Sequence, residues 1–73
     1  MIINMFLLTY TDDDGVQVTI AVDYLMYYKS GKIKGKIFSR NLYTLVGVRY
    51  GAQTTIKDSL TYSEVMEYKR KLR

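Results

Sequence analysis

Apolar strand formers fill the chain from Ile2 to Tyr10. Val16 to Val22 then alternates cleanly, with Val16, Val18, Ile20 and Val22 set against Gln17, Thr19 and Ala21. A period of two with β-branched residues predicts a strand in each stretch. Between them lies Thr11-Asp12-Asp13-Asp14-Gly15. Gly accepts positive φ and Asp bonds nearby backbone amides, so the two strands are expected to join as a hairpin. Asp23 to Lys29 holds Tyr24, Leu25, Met26, Tyr27 and Tyr28 without alternation. This stretch reads as a short helix after an Asp cap or an irregular turn, in preference to a further strand. Ser30-Gly31 is expected to break the chain. Strict alternation resumes at Lys32–Phe38, with Lys32, Lys34 and Lys36 on one face and Ile33, Gly35 and Ile37 on the other. Leu42 to Arg49 predicts another strand with a bulge at Gly47, and Gln53 to Lys57 a short additional one.

Helical spacing is confined to the end. Thr61-Tyr62-Ser63-Glu64 fits a capping box, in which the Thr and Glu side chains satisfy each other's backbone amides. Tyr62, Val65, Met66 and Leu72 follow at helical intervals. The expected fold is α+β: a small antiparallel sheet with an N-terminal hairpin and a C-terminal α-helix. Residues 1–73 read as one domain. Its basic helix, 61–73, is short enough to be marginal alone in water, so docking decides whether it is ordered or mobile.

Composition changes this picture by subtraction. The 73 residues include no Cys and no His, which removes a disulfide framework and leaves a zinc site without its usual ligands. It also removes the common nucleophile–base pairs, so no enzyme and no cofactor is expected. No run approaches the ~18–20 apolar residues that span a bilayer. The apolar start lacks the basic flank and cleavage site of a signal peptide. A membrane partner is therefore not expected, and the cytoplasm is the simplest placement.

Charge divides the chain in two. Residues 1–28 carry Asp12, Asp13, Asp14 and Asp23 with no Lys or Arg, a balance of −4. Residues 29–73 hold all eleven basic residues against Asp58, Glu64 and Glu67, a balance of +8. Such asymmetry points to an anionic partner, or to acidic–basic contact within or between chains.

Two motif readings fail. Asp12-Asp13-Asp14-Gly15 lacks the alternate acidic positions of an EF-hand loop, and Ala21 stands where its bidentate Glu belongs. A solvated turn, or a negative patch for a basic partner, remains. Ser30 to Ile37 lacks both the leading Gly and the Ser or Thr of a P-loop.

The row Lys32, Lys34, Lys36 is the better candidate. Alternate strand residues lie roughly 6.5–7 Å apart on one face, so the three ammonium groups would form a ridge. Arg40 and Arg49 extend it, with Tyr43 and Tyr50 as aromatic anchors. Interleaved cations and aromatics suit an acidic protein surface or single-stranded nucleic acid. Edge-strand lysines also serve simply to block sheet-to-sheet aggregation. Lys69, Arg70, Lys71 and Arg73 complement the helix dipole and outnumber what it needs. Among the eight tyrosines, Tyr24, Tyr27 and Tyr28 with Met26 make an amphipathic patch suited to a dimer interface or a partner's peptide.

In its length, polarised charge and lack of catalytic side chains, the chain resembles small phage-encoded regulators and inhibitors of host RNA polymerase. Anti-restriction and anti-CRISPR proteins share this appearance, but many are acidic DNA mimics, and a pI of about 9.4 is opposed to mimicry. The resemblance rests on size and organisation and carries no functional residue. It implies docking on a host polymerase subunit and steric or allosteric control of transcription. The alternatives are a basic nucleic-acid-binding module using the same face, and a self-associating structural protein that forms a homodimer.

Overall fold

The computed structural model describes residues 5–73, so the Ile2–Asn4 portion of the first expected strand lies outside the described residues. Five strands and one helix follow in chain order: β1 (Phe6–Thr11), β2 (Gln17–Val22), β3 (Tyr24–Lys34), β4 (Ser39–Arg49), β5 (Ala52–Leu60) and α1 (Tyr62–Arg70). β1 and β2 form one antiparallel sheet, and β3–β4–β5 form a second in which β4 is central. The fold is α+β, with an N-terminal hairpin and a C-terminal helix.

Hairpin β1–β2 pairs Leu8 with Ile20 and Tyr10 with Val18, which sets these apolar residues on one face. Its turn is built around Asp12. That carboxylate accepts from the backbone N–H of Asp14 at 2.9 Å and of Val16 at 2.8 Å. Gly15 takes the positive φ of 80° that the turn requires. Asp12 thus works inside the turn, while Asp13 lies 3.8 Å from the Lys57 ammonium.

The core forms where the apolar face of this hairpin and the helix meet one face of the three-stranded sheet. Leu8, Leu45, Ile56, Leu60 and Val65 are buried together, flanked by Tyr10, Ile20, Leu25, Tyr27, Tyr43, Met66, Tyr68 and Leu72. α1 begins as the capping box requires: the Glu64 N–H donates to the Thr61 hydroxyl at 3.3 Å, and the Thr61 N–H donates to the Glu64 carboxylate at 3.0 Å. Hydrogen bonding from Thr61 to the Glu64 carboxylate, its backbone N–H foremost and its hydroxyl second, holds the Glu64 carboxyl below its usual range. Val65 drives the helix into the core, and the chain then returns to β1, where Arg73 and Leu7 exchange backbone hydrogen bonds of 2.8 and 3.1 Å.

Residues 23–38 depart from the sequence expectation. The segment 23–29 is neither helix nor irregular turn: only Asp23 separates β2 from β3, and Tyr24 to Lys29 is strand. The run lacks alternation of polarity because both faces take apolar side chains. Leu25 and Tyr27 point to the core, while Tyr24, Met26 and Tyr28 share the opposite face with Val46 and Val48. Ser30-Gly31 does not break the chain either. It is a β-bulge, where the register with β4 slips between Lys29 and Gly31. The strand expected over Lys32–Phe38 stops at Lys34, and Gly35 to Phe38 turn the chain, with the Gly35 N–H bonded to the Phe38 carbonyl at 2.7 Å.

Gly47 is not a bulge. It pairs in register with both Leu25 and Thr54, and the irregularities of the β4–β5 ladder lie at Tyr43–Leu45 and Leu45–Val46 instead. Gly is needed for close packing, since a Cβ there would stand 2.8 Å from Val22 Cγ1 and 3.1 Å from Ile56 Cδ1.

Strands β3 and β4, each eleven residues, outrun β5 and project as a two-stranded ribbon. The molecule is accordingly elongated, 52 × 25 × 20 Å, with a radius of gyration of 13.7 Å, where a compact chain of this length has about 11 Å. No helix among the described residues is long and apolar enough to cross a membrane.

Candidate functional site: the lysine face of the ribbon

Strict alternation would put Lys29 and Lys32 on opposite faces, because they are three residues apart. The bulge adds one residue to β3 and reverses the parity beyond it. Lys29 then opposes Tyr43, Lys32 opposes Asn41 and Lys34 opposes Ser39. Directly opposed residues share a face, so Lys29, Lys32 and Lys34 stand on the same side as Ser39, Asn41 and Tyr43. The other face receives Tyr24, Met26 and Tyr28 before the bulge and Gly31 and Ile33 after it, opposite Leu42 and Arg40. One inserted residue therefore sorts the lysines from the apolar side chains along the whole ribbon. The Thr44 hydroxyl donates to the Ser30 hydroxyl at 2.7 Å and ties the bulge to β4.

At the base of the lysine face, a groove opens between the ribbon and the start of α1. Ser39, Arg40, Asn41, Tyr43, Thr61, Tyr62 and Ser63 line it. Tyr27, Tyr43 and Tyr62 meet edge to face, with ring centroids 5.7–6.2 Å apart, so the tyrosine floor is held in place from three sides. Lys69 adds a cation on this side, its ammonium 4.9 Å from the Tyr27 ring centroid. The groove offers hydroxyls and aromatic edges beside a row of ammonium groups. Among the described residues no group of three or more acidic side chains is placed to hold a metal ion.

The residues singled out from sequence divide into three places. Lys32, Lys34 and Tyr43 come together on the lysine face. Lys36 is not on a strand but in the turn at the ribbon tip, beside Ile37, which is 94% exposed. Arg40 is paired with Ile33 and so faces away from the lysines by register, its guanidinium 5.9 Å from the Phe38 ring centroid, yet the residue also borders the groove between Ser39 and Asn41. Arg49 and Tyr50 do not extend the ridge. They lie at the far end of β4, about 30 Å from Arg40 at ~3.3 Å per residue, and they are occupied there.

That far end is a structural clasp. Arg49 Nη1 donates to Asp23 Oδ1 at 2.6 Å, the Tyr50 N–H donates to Asp23 Oδ2 at 2.8 Å, and Arg49 stacks 4.1 Å over the Tyr50 ring. Tyr50 and Gly51 form the tight β4–β5 turn with φ values of 52° and 77°. The bond from the Tyr50 amide, reinforced by Arg49, holds the Asp23 carboxyl below the usual carboxylate range. A depressed folded pKa adds stability that is complete above the unfolded value and is lost as pH falls through the folded one. Acid should therefore weaken the fold below about pH 4. In Asp23→Asn the urea midpoint should fall less between pH 6 and pH 3 than in the parent. Identical pH dependence in the two proteins would remove this role from Asp23.

Lys29 and Tyr62 are among the members of this face that sequence reasoning did not assign to it. Ser-Gly inside a strand pattern is the signal for the first, because it marks a bulge and hence a change of parity. No local signal announces the second, which reaches the groove only through the docking of α1. No protein-family model, no curated protein and no solved structure matches this chain.

Proposed function

We propose that the chain is a non-catalytic regulatory module that docks on a protein partner through the lysine face of its ribbon. The carrying observation is the bulge-sorted row Lys29, Lys32 and Lys34 running into the tyrosine- and hydroxyl-lined groove. No carboxylate occurs anywhere from residue 24 to residue 57. An acidic partner segment laid along the ribbon would pair its carboxylates with the lysines and seat an apolar side chain against Tyr43 and Tyr62. That arrangement gives an anchor at the centre and a polar rim, the usual anatomy of a specific interface. The resemblance to phage regulators makes a host RNA polymerase subunit the partner to test first. Occupation of its surface by the ribbon would act sterically or allosterically on transcription.

Nucleic acid is the second reading, favoured by the same acid-free stretch and by the shape of the ribbon, since a two-stranded β-ribbon fits the major groove of a duplex. The two readings separate in one experiment. Tagged protein is used to capture partners from host lysate with and without nuclease, alongside a Lys29→Ala/Lys32→Ala/Lys34→Ala variant. Polymerase subunits recovered despite nuclease, and lost with the variant, support protein docking. Partners lost with nuclease shift the assignment to nucleic acid. In that case the variant should reduce the salt slope of duplex binding by about 2.7, at ~0.9 per phosphate contact. Equal capture by parent and variant under every condition would reject the lysine face as the working surface.

A further inference from the structure

The basic segment that follows α1 is tied to the hairpin. Leu72 packs against the core, and Arg73 exchanges backbone hydrogen bonds of 2.8 and 3.1 Å with Leu7. Arg73 thus stands beside β1 as a third-strand residue of the hairpin sheet. Directly opposed residues share a face. Arg73 therefore joins Leu7 and Thr9 of β1 and, across the hairpin, Thr19 and Gln17 of β2, on the side away from Leu8 and Ile20. Arg70 and Lys71 reach the same place from the end of α1, and these seven residues line one cleft. All seven are exposed.

We propose that this cleft binds the phosphodiester backbone of a nucleic-acid duplex, without reading its bases. Charge is the first argument. Arg70, Lys71 and Arg73 bring three cations together, and the described residues that line the cleft include no acidic side chain to neutralise them. Lys71 is held at the rim, its ammonium 5.1 Å over the ring of Tyr68, which meets Tyr10 edge to face at 6.3 Å. The floor is the second argument. The Thr9 and Thr19 hydroxyls lie 2.8 Å apart, so one donates to the other and that other keeps its proton for a phosphate oxygen. The Gln17 amide adds further N–H donors. Arg, Lys, Thr and Gln side chains are the usual donors to backbone phosphates. The third argument is what the cleft lacks. No aromatic ring is among its lining residues, so bases find no stacking platform, and Leu7 is the one apolar side chain larger than a methyl group. An acidic protein segment would meet the same cations without the apolar anchors that carry a specific protein interface.

The cleft shares no residue with the lysine face, so it stands whether or not that face has a partner, and a nuclease-treated protein complex leaves Lys71 free. Fluorescence anisotropy with a short labelled DNA duplex, over a range of salt concentrations, tests it. The parent should bind, and Arg70→Ala/Lys71→Ala/Arg73→Ala should lower the salt slope by about 2.7, at ~0.9 per phosphate contact. Arg73 meets Leu7 through its backbone, so this variant should keep the far-UV circular dichroism of the parent. Gln17→Glu places a carboxylate among the three cations without removing any of them, and should weaken binding several-fold. Lys29→Ala/Lys32→Ala/Lys34→Ala should leave the contribution of the cleft in place. A parent that does not bind the duplex would overturn the proposal. So would a cleft variant with the salt slope of the parent, or loss of all binding in the lysine-face variant alone. Tighter binding of poly-glutamate than of the duplex would assign the cleft to an acidic protein segment instead.

Discussion

Leu45→Ala is expected to leave most of the protein unfolded at room temperature. Leu45 is fully buried on the central strand, in the cluster formed by Leu8, Ile56, Leu60 and Val65. It lies where hairpin, sheet and helix meet, so no single element can close over the lost volume. Truncating a buried Leu costs about 2–5 kcal/mol, the spread reflecting how far the surroundings collapse. A core of this size supplies only about 3–5 kcal/mol in total, so one substitution removes most of it. Ile37→Ala deletes a similar side chain at the exposed ribbon tip and should change stability by no more than about 0.5 kcal/mol. Urea titrations followed by circular dichroism compare the two. Equal midpoints would mean that Leu45 is not the meeting point of the three elements.

Gly47→Ala should be the next most damaging small change. Its Cβ would sit 2.8 Å from Val22 Cγ1, 3.1 Å from Ile56 Cδ1 and 3.6 Å from Ile20 Cδ1. Val22 is itself buried and β-branched, so its methyl groups have little freedom to swing aside. The hairpin must then move off the sheet, at about 1–3 kcal/mol for overpacking. The backbone benefit of replacing Gly in a strand offsets part of this, about 0.4–1 kcal/mol. The mechanism has its own signature. Val22→Ala empties the volume that the new methyl would occupy, so the double variant should be less destabilised than the sum of the singles. Strict additivity would show that Gly47 is not set by contact with Val22.

These positions also show what a sequence can and cannot convey. The hairpin turn was readable because Asp12 and Gly15 act locally, the one through its carboxylate and the other through positive φ. The helix start was readable for the same reason, since Thr61 and Glu64 are three residues apart. Strand β3 was not readable over Tyr24–Tyr28, because a central partner strand lets apolar residues occupy both faces and erases the alternation that marks a half-buried strand. Gly47 signalled a special position, but whether it marks a bulge or a close approach depends on Val22, a residue of the other sheet.

The candidate site divides along the same line. Lys32 and Lys34 were legible as a pair from their spacing. Lys29 joins them only through the parity change at Ser30-Gly31. Arg49 and Tyr50 look like continuations of a basic, aromatic stripe, yet Asp23, 26 residues earlier, binds Arg49 and the Tyr50 amide into the clasp. Charge counted along the chain finds the basic half, and only pairing across strands shows which cations share a surface.

Lysine-reactivity footprinting of the captured complex tests the central claim, that the lysine face is the docking surface. Acetylation by a water-soluble reagent, read residue by residue by mass spectrometry, would compare free and partner-bound protein. Lys29, Lys32 and Lys34 should become protected, while Lys71, beyond the end of α1, should react at an unchanged rate. Undiminished reactivity of the three ribbon lysines in the complex would contradict the account and place the docking surface elsewhere on the molecule.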